Sequence, residues 1–413
     1  MAVEHANRGR RTTYGEIFVE PEFRVVLASN LLMLLAETLR ILALSVLVFA
    51  ATDSALLSAV TFGAGFLPQA IGGSCLTALA DRLPPRGLLV AYDVMQTTVT
   101  VFLAAASPPI WAILVLIAVA GSLSPLRAGV TGGLLPEILA GDRYVLGRSM
   151  IQTVSSGMQI AGYATGGAMV ASLGPRAGLF AAACGYLMSA IVWQWGLHSR
   201  RPRVPELSLR ATMAATWRTN GRLLRADPRV RSLLFSLWLP IACVTGAEAT
   251  LVAYAAQAGL PSGSAGYLLA ALPIGMVLGD MVVARSCRPH TRARLALPLA
   301  LLAAMPLLGF AALPGVGLAV ALLGLAGSGI AYALPLQAAF VEALPVDVRG
   351  RGFGLLSSGL MTAQGLGTVA IGALASALSA ALAIVAAGVI MTVSVMMLRR
   401  SLSPSRLALQ AGA

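Results

Sequence analysis

The chemistry available to this sequence begins with charges placed where charges are costly. Glu37 and Arg40 lie inside one apolar run, three residues apart and so on nearly the same face of a helix. Glu37 follows Arg24 by thirteen residues, which at about 1.5 Å per residue puts it roughly 20 Å along that helix. Arg127 lies sixteen residues beyond Trp111 in another apolar run and reaches a comparable depth from the opposite end. An ionisable group at the centre of a bilayer is expensive, so it is expected to have a partner and a function. The pattern predicts a buried group of Glu37, Arg127 and Arg40, in which a proton on the carboxylate releases an arginine. A permanently paired structural cluster is the plainer alternative. Glu248, in a later run, has no arginine nearby and is a candidate for a second proton site, for substrate contact, or for a polar gate. Asp93 is expected to pair with arginines of the adjoining loop, and Glu137, Asp280 and Glu342 fall close to the ends of their runs.

Other chemistries lack their residues. All 29 basic residues are Arg, and without Lys there is neither a Walker A loop nor Schiff-base catalysis. Cys75, Cys184, Cys243 and Cys287 are isolated, and His5, His198 and His290 lie outside the apolar runs. No metal and no other cofactor is therefore expected. A lipid-linked transferase would need an acidic cluster that the sequence does not contain, so an enzyme is not expected, and nor is a non-transporting scaffold, given Glu37 and Arg127.

The elements that must position these residues are membrane spans. Of 413 residues, 58% are hydrophobic and 11% are charged, less than half the charge of an ordinary soluble domain, roughly 25%. A spanning helix needs about 20 mostly apolar residues. Twelve such runs are predicted near 25–50, 55–80, 88–107, 110–138, 145–172, 177–197, 231–257, 263–284, 293–313, 315–341, 353–378 and 380–398. The net charge of +13 is spread between these runs rather than gathered on one surface, which argues against a nucleic-acid partner. Arginines cluster in every second connection, and the opposite connections hold only Arg176. The positive-inside bias then puts both termini in the cytoplasm. Residues 1–23 form a polar N-terminal segment, with no cleavable signal peptide expected, and 399–413 a cytoplasmic tail. The polar stretch 198–230 joins two six-span halves, 24–197 and 231–398. Within it Leu209, Met213, Trp217 and Leu224 alternate with arginines in the manner of an amphipathic helix on an anionic membrane surface.

The halves repeat one another. Glu137, Asp142 and Gly147 recur as Glu342, Asp347 and Gly352. Gln159, Gly162 and Gly167 recur as Gln364, Gly367 and Gly372, and Leu67-Pro68 as Leu272-Pro273. Every pair shares one offset. Six spans per half keep both copies in the same orientation, making a parallel repeat with a site expected between them. The loop Leu79-Ala80-Asp81-Arg82-Leu83-Pro84-Pro85-Arg86 resembles the signature loop of the major facilitator superfamily, keeping Asp81, Arg82 and Arg86 and replacing the leading Gly by Thr77. Gly162-Tyr163-Ala164-Thr165-Gly166-Gly167 is similar to a glycine motif of proton-coupled exporters, with Tyr163 in place of Pro. Leu135-Pro136-Glu137 through Gly141-Asp142-Arg143 resembles the bacterial drug and siderophore export branch.

That resemblance implies an all-α membrane protein of twelve transmembrane helices in two pseudo-symmetric six-helix bundles. It implies a secondary transporter in a bacterial cytoplasmic membrane, exporting a small hydrophobic or amphipathic molecule against protons. Uptake by symport or facilitation is the alternative within the same fold. Gly162, Gly166 and Gly167 would allow close helix packing, and the Asp81 loop would latch one conformation. Gln69, Trp238, Tyr254 and Tyr332 are candidates for the cavity wall.

Overall fold

The computed structural model describes residues 14–80, 83–106, 108–139, 142–200, 227–261, 263–287, 289–344 and 349–399. Asp81 and Arg82 of the signature loop lie outside these residues, as do residues 201–226, which carry the expected amphipathic helix.

The described residues are almost wholly helical. In chain order they form α1 (Tyr14–Phe18), α2 (Pro21–Thr52), α3 (Ala55–Gly63), α4 (Phe66–Ala80), α5 (Pro85–Ala105), α6 (Ile110–Ser122), α7 (Ser124–Ile138), α8 (Asp142–Leu173) and α9 (Pro175–Gly196). The second half contains α10 (Pro228–Ala249), α11 (Leu251–Gln257), α12 (Ser264–Ser286), α13 (Pro289–Leu308), α14 (Val316–Gly329), α15 (Ala333–Ala343), α16 (Arg349–Ala377) and α17 (Ala380–Met397). Proline opens α2, α5, α9 and α10 at a position whose N–H has no helical partner. Ser54 and Ser379 accept from backbone N–H groups at the starts of α3 and α17.

Eleven helical segments among the described residues are long and apolar enough to cross a bilayer. The twelfth long helix, α8, has 32 residues but carries Gln152, Thr153, Ser156 and Gln159, which dilute its hydropathy. Gln152 and Thr153 are exposed, so this stripe belongs beside water rather than lipid. Large apolar side chains cover much of the outside. Trp111 and Trp195 are 70% and 83% exposed near the ends of their spans, where aromatic belts meet the headgroups.

The side from which α2 starts and on which α17 finishes is called proximal, the other distal. Spans 4 and 10 break at corresponding places. The first turns from α6 into α7 at Leu123, and the second passes through a 3₁₀ turn, Ile330–Tyr332, between α14 and α15. Helix pairing repeats as well. α2 packs on α8 and α9, and α10 on α16 and α17; α5 packs on α9, and α13 on α17. Even single contacts recur. A Cβ on Gly147 would stand 2.4 Å from Leu139 Cδ1, and one on Gly352 would stand 2.2 Å from Leu344 Cδ1. The proximal end of the first half is braced by Glu22, which accepts from His198 Nδ1 at 2.9 Å and from Arg200, and Arg200 also reaches Glu137 at 3.4 Å.

Between the halves, α8 packs on α12 and α16 packs on α3 and α4. A Cβ on Gly266 would lie 2.4 Å from Gly167 Cα, and one on Gly63 would lie 2.2 Å from Thr368 Oγ1. The Leu56 N–H donates to Ser376 Oγ at 2.8 Å. These approaches all lie on the distal side. Small residues let backbones meet there as closely as lipid-embedded helices permit. The polar stripe of α8 continues proximally from Gly167, and on α16 the exposed Ser357 lies proximal to Thr368. The halves thus approach most closely on the distal side, while proximally α8 and α16 carry exposed polar side chains.

Candidate functional site

A cavity of about 320 Å³ is walled by α2, α3, α4, α5, α6 and α7; it lies within the first half and not between the halves, where the repeat leads a site to be expected. Its wall includes Glu37, Arg40 and Arg127, the three charges that depth along the spans had singled out, together with Gln69.

Their pairing differs from the expected group. Arg40 Nη2 donates to both oxygens of Glu37 at 2.8 Å, and the Tyr186 hydroxyl of α9 donates to Oε2. Arg40 Nη1 donates to Gln96 Oε1 at 3.0 Å, Gln96 Nε2 donates to the Tyr92 oxygen at 2.8 Å, and Tyr92 lies 3.1 Å from Ser124 Oγ. The Arg40 guanidinium also lies over the Tyr186 ring, 5.4 Å from its centroid, a favourable cation–π geometry. The Glu37 side chain keeps 30% exposure and that of Arg40 only 4%. The carboxylate thus faces the cavity while its counter-ion is anchored behind it.

Arg127 does not pair with Glu37. Its Nε lies 3.5 Å from Asp93 Oδ1, Asp93 Oδ2 accepts from Ser189 Oγ at 2.5 Å, and Arg127 Nη2 reaches the Ser29 carbonyl at 3.4 Å. Asp93 is fully buried, and its expected pairing with the loop arginines is corrected. It lies eight residues past Pro85, the first residue of α5, and about 12 Å along a helix takes it past the mouth to the level of Arg127. Two separate ion pairs therefore stand where one three-residue group was expected.

The second half contributes differently. Glu248 is half-buried one residue before the end of α10. Among the described residues it has no hydrogen bond or ion pair. Two cavity candidates prove to be packing residues. The Tyr254 hydroxyl donates to the Pro314 carbonyl at 2.6 Å and that of Tyr332 to the Ser236 carbonyl at 3.2 Å. Both rings are buried in the second half's core, where a phenol needs one acceptor and here finds a backbone carbonyl. Trp238 Nε1 donates to the Leu356 carbonyl at 3.1 Å, joining α10 to α16. It does not reach the cavity.

The glycines divide. A Cβ on Gly162 would stand 1.8 Å from Thr38 Oγ1 and one on Gly166 3.0 Å from Leu39 Cδ2, both on α2 beside Glu37 and Arg40. Gly167 instead meets α12 of the other half. Arg86 lies half-buried in the first turn of α5. Residue spacing did not single out Tyr186, Gln96, Ser189 or Asn30. Tyr92 and Gln96 at i and i+4, and Tyr186 and Ser189 at i and i+3, are polar pairs on single helix faces. That spacing was their available signal.

The geometry agrees with comparisons to known proteins. The model of the Major Facilitator Superfamily matches residues 26–340. A comparison with curated protein sequences gave no match. Among solved structures, a mutant of the nucleoside transporter NupG superposes with TM-score 0.74 at 13% identity, covering 92% of this chain and 99% of that one. The peptide transporter POT in complex with sulfate gives TM-score 0.73 at 13% identity over 94% and 95% of the two chains. A POT family transporter in complex with 5-aminolevulinic acid gives 0.69 at 12% identity over 92% and 95%. At such identities these likenesses speak for the fold. With its family model matched over most of its length, its halves repeated and its charged cavity enclosed among spans, this chain is a member of the major facilitator superfamily, a membrane transporter rather than an enzyme.

Proposed function

We propose that this transporter exports a small amphipathic molecule across a bacterial cytoplasmic membrane, driven by protons and working by alternating access. The bundles are taken as 24–197 and 231–398, with both termini in the cytoplasm. The observation that carries the reading is Glu37, a carboxylate exposed to the cavity whose charge is balanced by one buried arginine. A proton on Glu37 cancels its attraction for Arg40 and leaves the chain Arg40–Gln96–Tyr92–Ser124 free to rearrange. That chain joins α2, α5 and α7, so one proton acts on three cavity helices at once. Proton and cargo then act on the same set of bonds, and each biases the conformation that the other meets. Glu248, next to the distal seal, is proposed as a second acidic site reached from that side.

Uptake by symport is the second reading. Tyr163 favours it, since it stands where the exporter-like motif has Pro. Direction is tested in everted vesicles with labelled amphipathic compounds of both charge signs. Accumulation driven by an inside-acid gradient supports export, and accumulation only under the reverse gradient supports uptake. Glu37→Gln should abolish gradient-driven accumulation while leaving the protein in the membrane at its usual level. Full gradient-driven transport by that variant removes Glu37 from the mechanism.

A further inference from the structure

The two arginines of the cavity wall are not equally satisfied. Arg40 makes three hydrogen bonds of 2.8 to 3.0 Å to side chains. Arg127 is 4% exposed, yet its one described hydrogen bond is the 3.4 Å approach to the Ser29 carbonyl. Its Nε and the facing Asp93 Oδ1 are both buried without a hydrogen-bond partner. Asp93 supplies charge from behind, at 3.5 Å, while its other oxygen is taken by Ser189. The Trp193 ring lies 6.0 Å from the guanidinium, and the cavity lies beside it. A buried guanidinium carries five donors in a rigid fork, and each one left without an acceptor is costly.

We propose that Arg127 anchors an anionic group on the cargo, a carboxylate or an acid of similar shape, and that the cargo is a small amphipathic monoacid. The inference rests on reading this cavity as the transport site and goes beyond it by giving the cargo a charge. A carboxylate matches the guanidinium fork with two parallel bonds, which no neutral group does as well. Asn30 and Gln69 offer side-chain amides to the same head group, and Leu34, Ile41, Phe62 and Phe66 offer apolar walls to its body. A cationic cargo would face two arginines and one carboxylate already taken by Arg40 and Tyr186. The volume, about 320 Å³, is at the small end of ligand pockets, roughly 300–1,000 Å³.

The test uses the full-length protein in nanodiscs and matched probes: 3-phenylpropionate and octanoate, their methyl esters, and the corresponding primary amines. Thermal unfolding is followed as each is titrated. The acids should raise the Tm of the wild type, while esters and amines bind about tenfold more weakly or worse, the worth of one charge-assisted contact. Arg127→Gln should erase the preference for acids. Should that variant not fold with Asp93 stranded, Asp93→Asn/Arg127→Gln removes both charges and serves in its place. Equal response to acid and ester, no response of the wild type to either acid, or an acid preference surviving loss of Arg127 overturns the proposal. Binding is read without a gradient, so the transporter reading fails separately, as absence of flux in proteoliposomes while acid binding persists.

Discussion

Four charges decide the chemistry of the first half, and they are arranged as two pairs of different quality. Glu37 and Arg40 share short hydrogen bonds and a tyrosine donor; Asp93 and Arg127 balance charge across 3.5 Å, with Arg127 Nε left without a hydrogen bond. Breaking a buried pair from one side typically costs about 3–5 kcal/mol, because the survivor is left charged in a poor solvent. Asp93→Asn should therefore lower stability by about that amount and reduce Tm clearly, whereas Asp93→Asn/Arg127→Gln should recover most of the loss. A double-mutant cycle measured by thermal unfolding checks this, and additive losses would show that the two side chains do not act on each other. Glu37→Gln should be gentler, because Arg40 keeps its 3.0 Å bond to Gln96 and the carboxylate replaced is 30% exposed rather than fully buried.

At the scale of elements, α8 and α16 do two jobs along their length. Distally they carry the small residues that seal the halves, Gly167 against Gly266 and Thr368 against Gly63. Proximally the same helices turn polar. Gly167→Val would push side-chain atoms into the backbone of α12, already 2.7 Å from an ideal Cβ at that position. Under the alternating access proposed above, a second conformation lacks this contact, so the strain should shift the population rather than unfold the protein. Each 1.4 kcal/mol of strain moves that balance about tenfold. In a background with the native cysteines replaced, Thr368→Cys, buried against Gly63 of the other half, should react faster with a membrane-impermeant maleimide when Gly167→Val is present. Unchanged labelling would mean that the glycine contact does not hold the distal seal.

For the whole molecule, the proposed alternating access requires that the distal contact break in every cycle. Leu56 of α3 and Ser376 of α16 face each other across that seal, joined by a 2.8 Å hydrogen bond. Leu56→Cys/Ser376→Cys, oxidised with copper phenanthroline, should stop transport. Reduction should restore it, and each single variant should remain active. Transport undiminished by complete cross-linking would require a route that never opens distally. The halves are tied more heavily than this one bond suggests, since the main buried cluster joins Leu42, Phe49 and Phe62 of the first half to Tyr163 and to residues of the second half such as Leu268 and Leu272. Burying that apolar surface favours the distally closed state described here.

Much of this architecture was legible in residue order alone, because a bilayer leaves few choices. Backbone groups in hydrocarbon must bond within their own helix, so each apolar run near 20 residues had to be a helix. Most of the twelve predicted spans agree with the helices to within a few residues, although α8 begins at Asp142 and α13 at Pro289. The shared offset of Gly147 and Gly352 made the halves copies, and both glycines do meet the equivalent leucines. Depth along a helix is also linear in sequence, which is why Glu37, Arg40 and Arg127 were placed at one level of the first half without coordinates. Rotation about the helix axis and the identity of the facing neighbour are not linear. Whether Arg127 meets Glu37 or Asp93, whether Tyr254 and Tyr332 line a cavity or brace a core, and whether Gly167 serves its own bundle or the other depend on how separate helices are turned against each other. Side-chain volumes from distant parts of the chain set those turns jointly, so only the packed tertiary structure decides them.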